Sequence, residues 1–413
     1  MRDEKLERAI GMLVRGRLKP YALAEVTSDE NEASRIRRGY IEKVTGIRLE
    51  NIANTSIDFS DASSRNIENA IGAVQIPVGF AEIHVKGEYL KGTVPVFLAT
   101  TEGKLVAGVN RGATVINKSG GATTKVLYSG MTRSVLLDTS SAIASAKAMA
   151  YLKRAGRVLI KNIFERSNKR LKLLNIDTYS TGRLLYIRYT AETNAAMGMN
   201  MLTIASTSAT RALISALKRS GINAKFVSES GNMCADKKPS AINIIKGRGI
   251  SVIAEAVIKK ELLHKYFKTD AKGIEELNYE KNYVGSSLAG SLAHNAHVAN
   301  VLAATFIAYG QDVAQIVDGV NAFDDAKALT NGDLYLSVYL PALELGTYGG
   351  GTHRETAQEL LKASGVYGEG DDKGVTKYGF AELIASTVLA GELNLLAAEA
   401  GQELASAHAA LKK

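Results

Sequence analysis

Tryptophan is absent from this 413-residue chain, and cysteine occurs once, at Cys234. A lone cysteine excludes an intramolecular disulfide framework and fits a reducing compartment, so a cytoplasmic protein is expected. The six histidines show no zinc-type spacing with cysteine and there is no HExxH, so no metal is expected. No run of about twenty uninterrupted apolar residues occurs, and no membrane span is expected. Residues 1–25 are charged and interrupted by Pro20, unlike a signal peptide. Aromatic residues make up only 6%, whereas glycine and alanine are abundant, so close backbone packing should matter more than large side chains.

What is present suits a globular protein: 46% hydrophobic and 23% charged residues, in a chain long enough for two or three domains. The net charge of +9 suits solubility and equally suits phosphate-bearing small molecules. Aromatic residues do not interleave with the basic ones, so nucleic acid is not expected as a partner.

Segments Glu4–Gly16 and Glu30–Val44 read as helices within a polar stretch of about 67 residues. Short β-type runs follow at Ala73–Val78, Ala81–Val85 and Thr93–Leu98. From Ser134 the texture alternates. Strands are expected at Ser134–Asp138, Arg157–Glu165, Arg170–Thr178 and Arg183–Thr190, with helices at Ser141–Ala155 and Ala205–Arg219. That order suggests a ferredoxin-like β-α-β-β-α-β unit. Gly/Ala-rich texture returns after Val227, so residues 134–229 read as an insertion. Leu288–Val317 reads as one long apolar helix, and Phe380–Leu411 as a closing Ala-rich helix.

Several stretches carry chemistry. Ala99-Thr-Thr-Glu102-Gly sets one carboxylate among small residues after an apolar strand. It fits a desolvated proton donor or a glutamate favoured by a helix dipole. Ser230-Gly-Asn-Met-Cys-Ala-Asp236-Lys237-Lys238-Pro239 holds two lysines between a turn and an apolar run. They fit either a solvated pair or a fixed ammonium facing an oxyanion. Asp312, in Gly310-Gln-Asp-Val-Ala-Gln315, would share the long helix with Asn300, about 120° around it. Its alternative is an aspartate satisfied in the core. His408 is either a surface group or a proton donor on a mobile tail. Gly346–Thr352 is a flexible loop or a phosphate cradle. Lys153–Lys172 is a basic run that fits a solvated face or the extra phosphate of a dinucleotide, and Cys234 fits packing better than nucleophilic work.

Taken in order, the motifs Glu68-Asn-Ala-Ile-Gly72, Ala99–Gly112, Gly130-Met-Thr-Arg133, Ala196-Met-Gly-Met-Asn200, Ser230–Asn243, Val284-Gly-Ser286, Asn295-Ala-His297, Gly310–Gln315 and Gly346–Thr352 resemble the 3-hydroxy-3-methylglutaryl-CoA reductase family. The likeness is to its class I type in a soluble, archaeal-like form, and it runs from about Glu68 to His408. It implies catalytic positions at Glu102, Lys237, Asp312 and His408. Arg133, Ser230, Asp236, Lys238, Lys281 and Asn300 match positions that hold the hydroxymethylglutaryl portion, and Asn110 and Arg111 match positions near CoA. Met197, Gly198, Met199 and Asn200, with Gly349, Gly350, Gly351 and Thr352, match the nicotinamide cofactor site. Ala195 departs from the acidic residue usual before Ala-Met-Gly, and the tail after His408 lacks the His-Asn-Arg continuation of some relatives.

The resemblance implies an α+β protein with three parts. These are a helical N-terminal domain (1–67), a large α/β substrate domain around a long central helix (68–133 and 230–413), and an inserted NADP-binding domain (134–229). It also implies NADPH as hydride donor, a homodimer or tetramer with interface active sites, and reduction of the CoA thioester to mevalonate. The rivals are an NADH-linked degradative relative running the reverse reaction, and a non-catalytic scaffold binding CoA or nucleic acid.

Overall fold

The computed structural model describes residues 2–28, 30–53, 74–368 and 374–401. His408, Glu68–Gly72, Ala73 and the expected boundary at residue 67 lie outside the described residues. The architecture is mixed α/β.

Alternating burial builds the first hairpin. β1 (Val78–Lys86) turns Ala81, Ile83 and Val85 into the core, with Glu82 and His84 on its other face. β2 (Lys91–Ala99) pairs with it antiparallel along its whole length. The strand expected at Ala73–Val78 is not seen in its described part, since Val74–Pro77 is irregular.

β3 (Ala122–Asp138) is 17 residues long and serves two groups of strands. Its later half, Met131–Asp138, pairs antiparallel with β5 (Leu184–Glu192), which also pairs with β4 (Lys172–Thr181). The short β6 (Lys225–Ser228) flanks the other side of β3. Its earlier half joins β7 (Gly249–Ile258), which leads through β9 (Leu334–Leu343) to β8 (Phe323–Ala328), giving the order β2-β1-β3-β7-β9-β8.

Between β3 and β4 the chain forms helices Ala142–Tyr151 and Arg157–Ser167, joined by a wide turn at Leu152–Gly156. The expected strand at Arg157–Glu165 is therefore helical. Ile160 and Phe164, four residues apart, bury one face while the basic residues point outward, and Phe164 stacks on Tyr189. Helix Met199–Arg219 links β5 to β6 and covers the same apolar cluster.

A second correction concerns the long helix. Leu288–Val317 is broken: only Val298–Ala308 is a regular α-helix of any length, and Gly310 ends it in a left-handed conformation. Asp312 instead caps a short turn, Val313–Gln315, with its Oδ1 accepting from the Ala314 N–H. Asn300 and Asp312 thus share no helix.

The long core helix is Val375–Ala400. It is long and apolar enough to cross a membrane, yet 89% of its most apolar window is buried inside the protein. It packs on helix Leu105–Lys118 so closely that a Cβ at Gly112 would strike the Ala390 carbonyl. Its two fully buried acids are consumed by backbone donors. Glu382 accepts from the N–H groups of Glu88, Tyr89 and Leu90 in the β1–β2 turn, and Glu392 from those of Ala296 and His297 ahead of Val298–Ala308. Hydrogen bonds to a charged group contribute about 1.5–3 kcal/mol each, which is why carboxylates can sit inside this α/β core.

Candidate active site

The Ser230–Pro239 loop leaves β6 and is the most constrained segment of the site. Asn232, Ala235 and Lys237 all have left-handed backbones, with φ of 62°, 54° and 56°. Each costs a non-glycine residue about 1–2 kcal/mol, so the surroundings must hold the loop. The Gly231 N–H donates to the Ser134 carbonyl (2.7 Å), Thr132 Oγ1 to the Cys234 carbonyl (3.1 Å), and Asn243 Nδ2 to the Ala235 carbonyl (3.1 Å). Asp318 accepts from the N–H groups of Lys237 (3.1 Å) and Lys238 (3.0 Å).

Arg248 anchors these contacts from inside. It is fully buried, reaching Asp236 (2.9 Å), Asp318 (2.8 Å) and Glu344 (2.6 Å). Burial works against its charge, but Glu344, Asp236 and Asp318 outweigh it and hold its pKa above the ordinary arginine value. Burial pushes Glu344 well above the usual glutamate range, and raises Asp318 despite Arg248 beside it. Sequence reading missed Arg248, Asp318 and Glu344. The available signal was an arginine opening the apolar β7 run, in Gly247-Arg-Gly249, where a charge needs buried partners.

Among the candidate catalytic residues, Lys237 Nζ lies 2.7 Å from Asp312. Glu102 stands in the turn before helix Leu105–Lys118, and Asn300 Nδ2 donates to its Oε1 (3.1 Å). Both acids are exposed in the single chain, so the expected desolvation of Glu102 and burial of Asp312 do not occur there. Short turns at the surface, rather than core helices, carry them.

The remaining candidates fall into groups. Arg133, on β3, approaches Asp236 at 3.9 Å, and its Nε is buried with no hydrogen-bond partner among the described residues. Lys238 Nζ donates to the Asp236 carbonyl, and Ser230 Oγ lies 3.8 Å from Cys234 Sγ. Lys281 stands apart from these, ion-paired with Glu399 near the end of the core helix. Asn110 and Arg111 lie on Leu105–Lys118, where Arg111 bonds Asn394 (2.8 Å) and stacks on Phe267.

Met197–Asn200 and Gly346–Thr352 come side by side. Ala196 bridges to Tyr348, the Thr347 N–H donates to the Ala195 carbonyl, and a side chain at Gly346 would collide with the Met197 nitrogen. Gly349 and Gly350 are left-handed, and Gly351 packs on Gly310, two residues before Asp312. Arg248 Nη2 donates to Met199 Sδ (3.2 Å), tying this pair of segments to the lysine loop.

Glu192 and Lys377 were also missed. Lys377 Nζ is buried against Glu192 (2.9 Å), and Glu192 also accepts from the N–H groups of Thr193 and Asn194. An acid therefore organises the turn before Met197 from position 192, while Ala195 is fully buried. Among the described residues no three His, Cys, Asp or Glu side chains are arranged to hold a metal ion. Chemically, the site offers a fixed ammonium–carboxylate pair, an exposed carboxylate and glycine-lined backbone amides.

The model of the hydroxymethylglutaryl-coenzyme A reductase family matches residues 33–413. A 3-hydroxy-3-methylglutaryl-coenzyme A reductase of Methanocaldococcus jannaschii is 45% identical, with 96% of each chain covered. One from Pyrococcus abyssi is 42% identical over 98% of each. A Cannabis sativa enzyme is 37% identical, covering 98% of this chain and 70% of its own. Among solved structures, a 3-hydroxy-3-methylglutaryl-coenzyme A reductase of Streptococcus pneumoniae shares the fold at a TM-score of 0.65 and 17% identity, covering 93% of this chain and 96% of that one. A second from that organism, described as class II and bound to NADPH, gives a TM-score of 0.64 at 18% identity, with the same coverage. These solved neighbours do not carry the class I assignment. The chain is an oxidoreductase and belongs to the hydroxymethylglutaryl-coenzyme A reductase family.

Proposed function

We propose that the chain reduces 3-hydroxy-3-methylglutaryl-CoA to mevalonate and free CoA with two NADPH, supplying an isoprenoid precursor. The observation that carries this reading is the Lys237–Asp312 pair at 2.7 Å, on a braced loop beside the paired Met197–Asn200 and Gly346–Thr352 segments. Hydride attack on a thioester builds negative charge on the carbonyl oxygen, and a preoriented ammonium stabilises it. Lys237 takes that role and Asp312 tunes it. Glu102 delivers protons to the reduced carbonyl, and His408 protonates the departing CoA thiolate.

Arg133, Ser230, Asp236, Lys238, Lys281 and Asn300 hold the hydroxymethylglutaryl end, and Asn110 and Arg111 the CoA. Arg133 Nε, buried without a partner among the described residues, supports a ligand there. Met197–Asn200 with Gly349–Thr352 hold NADPH, the cofactor bound in a solved relative. Arg170, from the basic run, lies over the Tyr348 ring of the glycine loop, which supports a phosphate contact on that side.

We assign residues 134–229 to a ferredoxin-like NADP-binding domain inserted into the substrate domain (68–133 and 230–413), with 1–67 as the helical N-terminal domain. The separate apolar clusters support the inserted unit, whereas buried residues of the N-terminal part, such as Ile10 and Ile36, share the cluster of the substrate domain. Asn300 and the far end of its helix are roughly 12 Å apart at 1.5 Å per residue. Glu102–Asn300 and Lys237–Asp312 thus sit toward opposite ends, which supports a homodimer or tetramer with sites shared between subunits. Class I is favoured because identity is 37–45% to the archaeal and plant relatives but 18% to the class II structure.

The test follows nicotinamide oxidation by purified protein with 3-hydroxy-3-methylglutaryl-CoA, with NADPH and NADH in parallel. Thioester-dependent oxidation faster with NADPH is expected. A clear NADH preference would transfer the assignment to the degradative direction, and no oxidation with either would sink it.

A further inference from the structure

One short turn holds Lys237 at both ends. Asp312 opens the turn and meets the ammonium at 2.7 Å; Asp318 lies near its end and accepts the backbone N–H groups of Lys237 (3.1 Å) and Lys238 (3.0 Å). Asp318 is fully buried and is fixed in turn by Arg248 Nη1 at 2.8 Å. Lys237 is left-handed, at φ 56°, a conformation a lysine keeps only when its surroundings impose it. The motif Gly310–Gln315 stops short of Asp318, so the residue is outside every stretch that carried the resemblance.

We propose that Asp318 is a positioning residue for the reduction, holding the left-handed backbone of Lys237 so that its ammonium stays on Asp312 and toward the reacting carbonyl. This rests on the reading of Lys237 as the group that stabilises the oxyanion. Without the two N–H contacts the backbone relaxes to negative φ, which redirects the Cα–Cβ bond and withdraws the ammonium. Because charge on the carbonyl oxygen develops in the transition state, the loss falls on kcat more than on KM. A role confined to neutralising Arg248 predicts lost stability with no selective change at Lys237.

The experiment compares full-length wild type with Asp318→Asn and Asp318→Ala. Steady-state kinetics with 3-hydroxy-3-methylglutaryl-CoA and NADPH are measured alongside thermal unfolding. The acylation rate of each lysine by an amine-reactive ester is mapped by peptide mass spectrometry. The expected result is a kcat reduced on the order of 10²-fold, a thioester KM within about threefold, and acylation accelerated selectively at Lys237. Asparagine keeps one acceptor oxygen, so it should fall between wild type and alanine, and it carries the test alone if the alanine variant does not fold. A folded variant with wild-type kcat and wild-type Lys237 labelling overturns the proposal. So does a loss of kcat matched by the unfolded fraction, with all lysines labelled faster alike. If wild type reduces no thioester, the proposed reaction fails, and the labelling pattern still decides the clamp: selective acceleration supports it and uniform acceleration overturns it.

Discussion

Lys237 and Glu102, both proposed for the central chemistry, stand in contrasting surroundings. Lys237 rises from a loop with three left-handed residues, braced from below by a buried arginine and its acids. Glu102 sits exposed in a turn, with Asn300 as its side-chain hydrogen-bond partner. The first arrangement is prepaid: folding energy fixes the ammonium before substrate arrives, which suits a group that must meet developing charge without reorganising. The second is open, which suits a residue that completes its surroundings only when substrate, cofactor or another subunit covers it. Stability and chemistry are therefore separable here, and mutations should divide along that line.

The largest expected effect on folding belongs to the braced side. Arg248→Met leaves buried acids without their cation and should cost about 3–5 kcal/mol, read as a lower urea midpoint. A midpoint within error of wild type would break the contrast. Glu102→Gln should do the reverse: turnover falls by about 10²–10⁴-fold, while stability stays within about 0.5 kcal/mol. Near-normal turnover would remove Glu102 as the proton donor.

A third prediction concerns Asp324, buried near Glu392 on the core helix, with Asn282 donating to its Oδ2 and Lys281 in the same stretch of chain as Asn282. Burial, then the Glu392 charge, raises its pKa well above the ordinary value of 3.8. The folded state therefore holds this proton more tightly than the unfolded chain. Its contribution is fully present below pH 3.8 and is lost as pH rises through the folded value. Asp324→Asn can still accept from Asn282 and donate to Glu392, so it should be more stable than wild type at alkaline pH and flatten the decline. A wild-type stability that climbs with pH while the variant's does not would refute the assignment of this group. The smallest effect is expected from Ala235→Gly, which relieves a left-handed alanine but frees the unfolded chain. A net gain of about 0.5 kcal/mol in thermal unfolding would locate part of the loop's strain there.

Much of the candidate site could be named from the sequence because its residues lie in short contiguous motifs. Asp236-Lys237-Lys238 and Gly346–Thr352 announce a special backbone through charge and glycine, and both proved to be tight, left-handed turns. The partners of those motifs were illegible for a physical reason. Arg248 meets Asp318 and Glu344, which are far from it in sequence, and nothing local distinguishes a buried charge cluster from solvated charges. The strand expected at Arg157–Glu165 and the single helix expected at Leu288–Val317 failed on similar grounds. A short β-branched run suits either a strand or a helix, and an apolar stretch does not reveal that Gly310 must turn to pack on Gly351.

By itself the sequence determined the family, the candidate polar residues and part of the strand and helix texture between residues 134 and 229, with Arg157–Glu165 read as a strand where a helix forms. These are local patterns of side-chain type and spacing. Tertiary structure alone decided which helix forms the core, that Glu102 and Asp312 stay exposed in one chain, and that Asp318 holds the backbone of Lys237. Those outcomes depend on which buried donors and acceptors meet across the fold, and every buried polar group must find a partner that linear order does not name.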